Sequence, residues 1–112
     1  MKSYNIYFPK FYNDGKPIPK SKMSPILNKI IQKFGVSTFQ ENATRPLVEG
    51  IWTSKEGKIY SDKVSVLCLI LEDRIEYNKW FTSMAEIWRQ DLEQEEFLIV
   101  VQYAEVISAT KN

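Results

Sequence analysis

The chain contains no histidine. That removes the commonest general base, the commonest metal ligand and the usual partner of a nucleophilic serine or cysteine. There is one cysteine, Cys68, so a disulfide framework is excluded, and one thiol without imidazoles cannot build a zinc site. In its apolar surroundings Cys68 reads as a small buried hydrophobe. No apolar run approaches the roughly 18 residues that span a bilayer. The N-terminal M-K-S-Y-N-I-Y-F-P-K lacks the apolar stretch of a signal peptide, so the expectation is a cytoplasmic protein without membrane contact. Any catalysis falls to carboxylates, lysine, tyrosine or arginine, and no nucleophile signature or cofactor motif is present.

A strong excess of either charge is missing too: the net charge is +1. That balance gives no overall signal for binding polyanions. It hides a split. Residues 1–35 hold seven lysines and one acid, Asp14, whereas residues 36–112 hold eight basic and thirteen acidic residues. A local attraction for anions is confined to the N-terminal third.

What the chain does have is apolar surface, 44% of its residues, with aromatics at 13%. This suits a single globular domain over 1–112. The most apolar stretch is Lys63 to Leu71, K-V-S-V-L-C-L-I-L. It is apolar on both alternating faces, which predicts a central strand. Ser3 to Phe8 alternates Tyr4, Ile6 and Phe8 against Asn5 and Tyr7 and predicts a strand ended by Pro9. Pro9 to Met23 reads as a long loop around the Asn13-Asp14-Gly15 turn. Ser24-Pro25 reads as the cap and first residue of a helix carrying Ile26, Leu27, Ile30, Ile31 and Phe34, stopped by Gly35. Residues 36–41 suggest a short strand. Leu47 to Thr53 and Lys58 to Asp62 read as the arms of a hairpin, the second running on into the central strand, with Gly50 marking a bulge or a close backbone approach. Asp73 and Glu76 form a capping box for a second helix, whose face is Tyr77, Trp80, Phe81, Met84, Ile87, Trp88 and Leu92. The acidic run Asp91, Glu93, Glu95 and Glu96 opposes the dipole and belongs past that helix's last turn. Phe97 to Tyr103 predicts a final buried strand.

The order of these elements resembles the ferredoxin-like plan: α+β, βαββαβ, an antiparallel sheet of four to five strands with two helices on one face. The resemblance covers residues 3–107 and rests on element order. The hairpin of Gly50-Ile51-Trp52 and Gly57-Lys58-Ile59-Tyr60-Ser61-Asp62 is similar to ones in small prokaryotic domains. The superfold hosts unrelated activities, so function has to come from sites. Two apolar sheet faces with helices on one side leave on the order of a few hundred Å2 of apolar sheet uncovered. The strands divide into Tyr4, Ile6, Val64, Val66, Ile99 and Val101 on one face and Tyr7, Leu67, Leu69, Leu98 and Val100 on the other. Proteins resembling the dimeric α+β barrel class close such a face on a second copy, so a homodimer through Tyr7, Leu67, Leu69, Leu98 and Val100 is expected.

Three groups are candidates for chemistry. Lys10, Lys16, Lys20 and Lys22, with Phe11 and Tyr12, have the basic and aromatic mix that meets phosphates and bases. Nucleic acid is nonetheless an unfavoured partner, because the central strand lacks the aromatics of an RNA-recognition sheet; lysines that keep a loop solvated explain the group as well. On the hairpin, Glu49, Tyr60 and Asp62 would carry acid–base chemistry, with Trp52 as a ligand contact and Asp14 joining Glu49 and Asp62 on a divalent ion. Charged positions that protect a sheet edge are the plainer reading there. Tyr77, Trp80, Phe81 and Trp88 could line an apolar pocket but match a core stripe. The sequence thus leads to a small self-associating binding or assembly domain that is not an enzyme. The alternative is a carboxylate-based enzyme near the 49–62 hairpin, with or without a metal, and a further one is nucleic-acid binding through the Lys-rich loop 10–22.

Overall fold

The computed structural model describes residues 1–35, 47–53, 59–109 and 111, with side chains described for 1–35, 66–109 and 111. In chain order the elements are β1 (Lys2–Pro9), α1 (Lys20–Phe34), β2 (Leu47–Thr53), β3 (Ile59–Leu71), α2 (Ile75–Asp91) and β4 (Ile99–Tyr103). The fold is α+β, with two helices and an antiparallel sheet in the order β2-β3-β1-β4. This is compatible with a ferredoxin-like arrangement. The expected strand over 36–41 and the turn over 54–57 lie outside the described residues.

The sheet has two parts. β3 is one continuous strand of 13 residues, as the joined hairpin arm and central strand imply. Its second half pairs with β1, Lys2 opposite Leu71 through Pro9 opposite Val64. Its first half pairs with β2, Leu47 opposite Ser65 through Thr53 opposite Ile59. The two pairings share only Val64 and Ser65. A three-stranded body, β3-β1-β4, therefore continues into a two-stranded ribbon. The register of β2 runs without offset through Gly50 opposite Asp62, so the expected bulge is absent and the glycine is an ordinary rung.

The core lies between the three-stranded body and the helices. Tyr4, Ile6, Phe8, Leu67, Leu69 and Leu71 are buried on one sheet face, with Ile26 and Ile30 from α1 and Phe81 and Trp88 from α2. Register explains the grouping, since Tyr4 faces Leu69 and Ile6 faces Leu67 across the ladder, and directly opposed residues share a face. The division expected from sequence put Leu67 and Leu69 opposite Tyr4 and Ile6. It was out by one residue on β3, and a slip of one residue exchanges every side chain between faces. Leu67 and Leu69 are core residues and are not available to an interface. Tyr7, Val66, Cys68, Ile70 and Val100 occupy the face away from the helices.

Aromatic rings organise the core. Tyr4 stacks on Phe81 at 4.5 Å, Phe34 stacks on Phe81 at 5.5 Å, and Trp80 meets Trp88 edge-on at 5.9 Å. The chain of rings continues from Trp88 to Phe97 and from Phe97 to Phe8. Offset and edge-on pairs at these separations add about 0.5–1.5 kcal/mol each beyond burial. The aromatic stripe of α2 is core, and its Phe81 also reaches a groove described below.

Both helix starts differ from expectation. α1 begins at Lys20, with Pro19 at the cap position, and holds Pro25 inside it. The Ser24-Pro25 signal loses because Ile18 and Met23, on the N-terminal side of it, pack against the core; that burial draws the helix forward by a turn. The cost is the bond that an N–H at residue 25 would give the Ser21 carbonyl. Gly35 ends α1 as predicted, at φ 91, its N–H reaching the Ile31 carbonyl at 2.7 Å. α2 begins at Ile75 after Arg74 and has no side-chain cap. Asp73, the expected cap, turns to Lys2 at 3.0 Å. Of the acidic run, Glu93, Glu95 and Glu96 fall past the helix end, with Glu93 at φ 52, while Asp91 is the last helical residue.

Candidate functional site

Near Asp73, α2 and the sheet edge frame a surface feature. α2 and the edge strand β4 diverge over the helix-side sheet face and leave a groove of about 310 Å3. Asn78, Phe81, Thr82 and Ala85 line it from α2; Phe97, Leu98, Ile99 and Val101 line it from the chain leading into and along β4. The size is at the lower end of small-molecule sites. Successive rungs of the β1–β4 ladder set its polarity. Ile6 faces Ile99, Tyr4 faces Val101, and Lys2 faces Tyr103. Rungs two residues apart are spaced about 6.6 Å. The apolar groove thus grades along one face into a hydroxyl and then into charge.

The polar end is held together internally. The Tyr4 hydroxyl donates to Asn78 Oδ1 in a short hydrogen bond. Burial pushes the Tyr4 hydroxyl pKa up, against a lowering by the nearby Lys2 ammonium. The Thr82 hydroxyl donates to the Asn78 carbonyl at 2.8 Å. Lys2 Nζ lies 3.0 Å from Asp73 Oδ1 and 5.4 Å from the centre of the Tyr103 ring. The hydrogen bond to Asp73 raises the Lys2 pKa above its ordinary value. Arg74 does not compete for Asp73, because its guanidinium is bonded to Glu72 at 2.6 Å.

A second cavity of about 280 Å3 opens between the end of α1 and the start of α2, lined by Lys33, Phe34, Glu72 and Tyr77 among others. Among the described residues, no three of His, Cys, Asp and Glu come together to hold a metal ion. No described helix is long and apolar enough to cross a membrane.

The structure does not assemble the sequence candidates into one site. Glu49 is opposite Lys63, and Gly50 is opposite Asp62. Positions 49 and 62 therefore fall on alternate faces of the ribbon, against the expectation that they share one. Positions Trp52 and Tyr60 form one rung, on the face of position 62. Asp14 is occupied locally: its carboxylate accepts from the Lys16 N–H at 2.9 Å and lies 3.9 Å from Lys16 Nζ. The loop that carries it is ordered as a small hairpin, with Phe11 bridged to Pro17 and Ile18 N–H bonded to the Lys10 carbonyl. Lys10, Lys16 and Lys20 stand exposed on it and at the start of α1. Of the interface set, Tyr7 and Val100 share the open face, while Leu98 lines the groove. The groove residues Asn78 and Thr82, and the Lys2–Asp73 pair one rung beyond them, were missed as a site. Asp73 read as a helix cap, and nothing in the spacing marks Lys2 as its partner 71 positions away.

No protein-family model matches the chain, and no curated protein matches it in sequence. The fold is similar to that of a phage SAM lyase solved in complex with S-methyl-5'-thioadenosine, with a TM-score of 0.65 over 90% of this chain and 79% of that one, at 15% sequence identity. That neighbour is an enzyme. The finding corrects the expectation of a non-enzymatic binding and assembly domain, since a chain with this arrangement of strands and helices is an enzyme.

Proposed function

We propose that the chain is a lyase that breaks a carbon–sulfur bond in a nucleoside sulfonium of the S-adenosylmethionine type, with the nucleoside held in the groove between α2 and β4. The observation that carries this reading is the likeness of fold, over nine-tenths of the chain, to a SAM lyase. S-Methyl-5'-thioadenosine is S-adenosylmethionine without its aminobutyrate chain, so the bond at issue joins the sulfonium sulfur to that chain.

The chemistry fits a protein without histidine. A sulfonium departs as a neutral thioether, so its leaving group needs no proton and no general acid. The electron pair of the breaking bond goes to sulfur. The carbon it leaves is satisfied either by the substrate's own carboxylate closing a ring or by loss of a neighbouring proton to a base. No water is consumed in either route; the two products are isomers of equal mass, told apart by the vinyl protons of the alkene and the ring ester of the lactone. The protein's part is to hold the substrate folded and to replace water around a cation that loses its charge. Phe81, Phe97, Ile99 and Val101 give an apolar floor for a purine, and Asn78 and Thr82 supply polar atoms at its rim.

The test is binding and turnover in groove variants. Ala85→Phe puts a ring into the groove from an accessible helix position. It is expected to lower kcat/KM for S-adenosylmethionine cleavage by at least about tenfold, or ~1.4 kcal/mol of transition-state binding, with the melting temperature nearly unchanged. Full activity in a folded Ala85→Phe protein would place the reaction elsewhere.

The sheet order β2-β3-β1-β4, with a helix crossing between each pair of parallel strands, supports a ferredoxin-like classification. Self-association through the open face remains a proposal with a revised membership: Tyr7, Ile70 and Val100, without Leu67, Leu69 and Leu98. A strictly monomeric mass by sedimentation at micromolar concentration would rule it out.

A further inference from the structure

We infer that Asp73 and Tyr103 form a seat for an organic cation and that Lys2 occupies it in the free protein as an internal stand-in. The inference deepens the proposed function and rests on it for the identity of the cation, a sulfonium. Three observations carry it. First, the Asp73 carboxylate stands just before α2, where sequence rules place a helix cap, yet α2 has no side-chain cap; the carboxylate is committed to Lys2 at 3.0 Å. Second, the Lys2 ammonium also lies 5.4 Å from the centre of the Tyr103 ring, within the range at which an aromatic face attracts a cation. Carboxylate plus ring face is the pairing that binds quaternary ammonium groups, and a sulfonium presents the same compact alkylated charge. Third, the seat is the next rung of the ladder beyond the groove, Lys2 opposite Tyr103 after Tyr4 opposite Val101, about 6.6 Å along.

The occupant is withdrawn and the seat is accessible. The Lys2 side chain is 14% exposed, against 47% for Asp73, and Tyr103 is 83% exposed. A ligand lying in the groove with its cation toward Tyr103 has to displace the ammonium, which then swings into water on its flexible stem. Lys2 thereby sets a threshold: a neutral thioether gains nothing from the exchange, while a sulfonium replaces one cation by another.

The experiment measures binding of trimethylsulfonium by the shift of the Tyr103 ring resonances, in the whole chain. Lys2→Met is expected to tighten binding about fivefold, the scale of one surface ion pair. Lys2→Arg, which keeps a cation in place, is expected to bind as the wild type does. Lys2→Met combined with Asp73→Asn is expected to lose the gain. Binding of neutral S-methyl-5'-thioadenosine reports the groove separately and is expected to be unchanged by Lys2→Met. Equal trimethylsulfonium affinity in wild type and Lys2→Met, or a gain that survives Asp73→Asn, overturns the inference and leaves the groove assignment standing. If Lys2→Met does not fold, Lys2→Gln gives the same comparison. If S-methyl-5'-thioadenosine fails to bind any variant, the groove assignment fails on its own, whatever the cation does.

Discussion

At the scale of single residues, Trp88 holds the most. It is 2% exposed and joins the ring chain of α2 to Phe97 and through it to β1. Trp88→Ala leaves a void that its ring neighbours cannot close, and a loss of about 3–5 kcal/mol of unfolding free energy is expected by urea titration. Glu86 makes a different prediction. Its carboxyl is held down at about 2 by hydrogen bonds from Arg89 and Gln90. A carboxylate with a depressed folded-state pKa contributes stability above its ordinary pKa and loses it as pH falls through the folded value. The contribution of this exposed group is therefore expected to fade between pH 4.5 and about 2. Glu86→Gln should lose that small contribution at neutral pH, flatten the acid part of the stability curve and meet the wild type at its acid end, and a steeper acid limb in the variant would contradict the assignment. Lys2 and Asp73 show the limit of reading residues one at a time. Each has an ordinary local role in sequence, and their meaning comes from a contact across 71 positions.

Elements were legible in proportion to how local their causes are. The alternation of Tyr4, Ile6 and Phe8, the helical recurrence of Tyr77, Trp80, Phe81, Met84 and Trp88 and the stop at Gly35 are set by neighbours in sequence, and the structure has them; Ile87, expected on the same face, is exposed. The failures are non-local. α1 starts at Lys20 because Ile18 and Met23 find the core, which outweighs the local signal of Ser24-Pro25. Pro25→Ala restores a backbone N–H opposite the Ser21 carbonyl and removes a ring from the helix interior. A gain on the order of 1–3 kcal/mol is expected, read from the urea midpoint at constant slope. The pairing register of β3 could not be read because both of its faces are apolar, so the pattern of the strand itself does not choose between them. Only the ladder with β1 decides that Leu67 and Leu69 face the helices. The carboxylates of the ribbon failed for the same reason. Proximity in a hairpin was legible, but the parity that separates Glu49 from Asp62 depends on which residues are opposite.

At the scale of the molecule, the architecture explains where a site can be. β4 is short, five residues against thirteen in β3, and it is reached by an irregular segment after α2. The helix and strand therefore part company along the edge of the sheet and leave the groove. Its floor is shared with the core through Phe81 and Phe97, so the site has a rigid base, while Leu98 keeps about half of its surface exposed at its rim. A fold of this kind is similar to that of an enzyme acting on a sulfonium, and a reaction whose leaving group needs no proton suits a chain without histidine.

The direct test is to incubate the purified chain with S-adenosylmethionine and follow S-methyl-5'-thioadenosine by liquid chromatography with mass detection. The account predicts its release with turnover, without consumption of water and with strong loss in Ala85→Phe. No product above the spontaneous rate from a folded protein at substrate saturation, or equal product from Ala85→Phe, would contradict it.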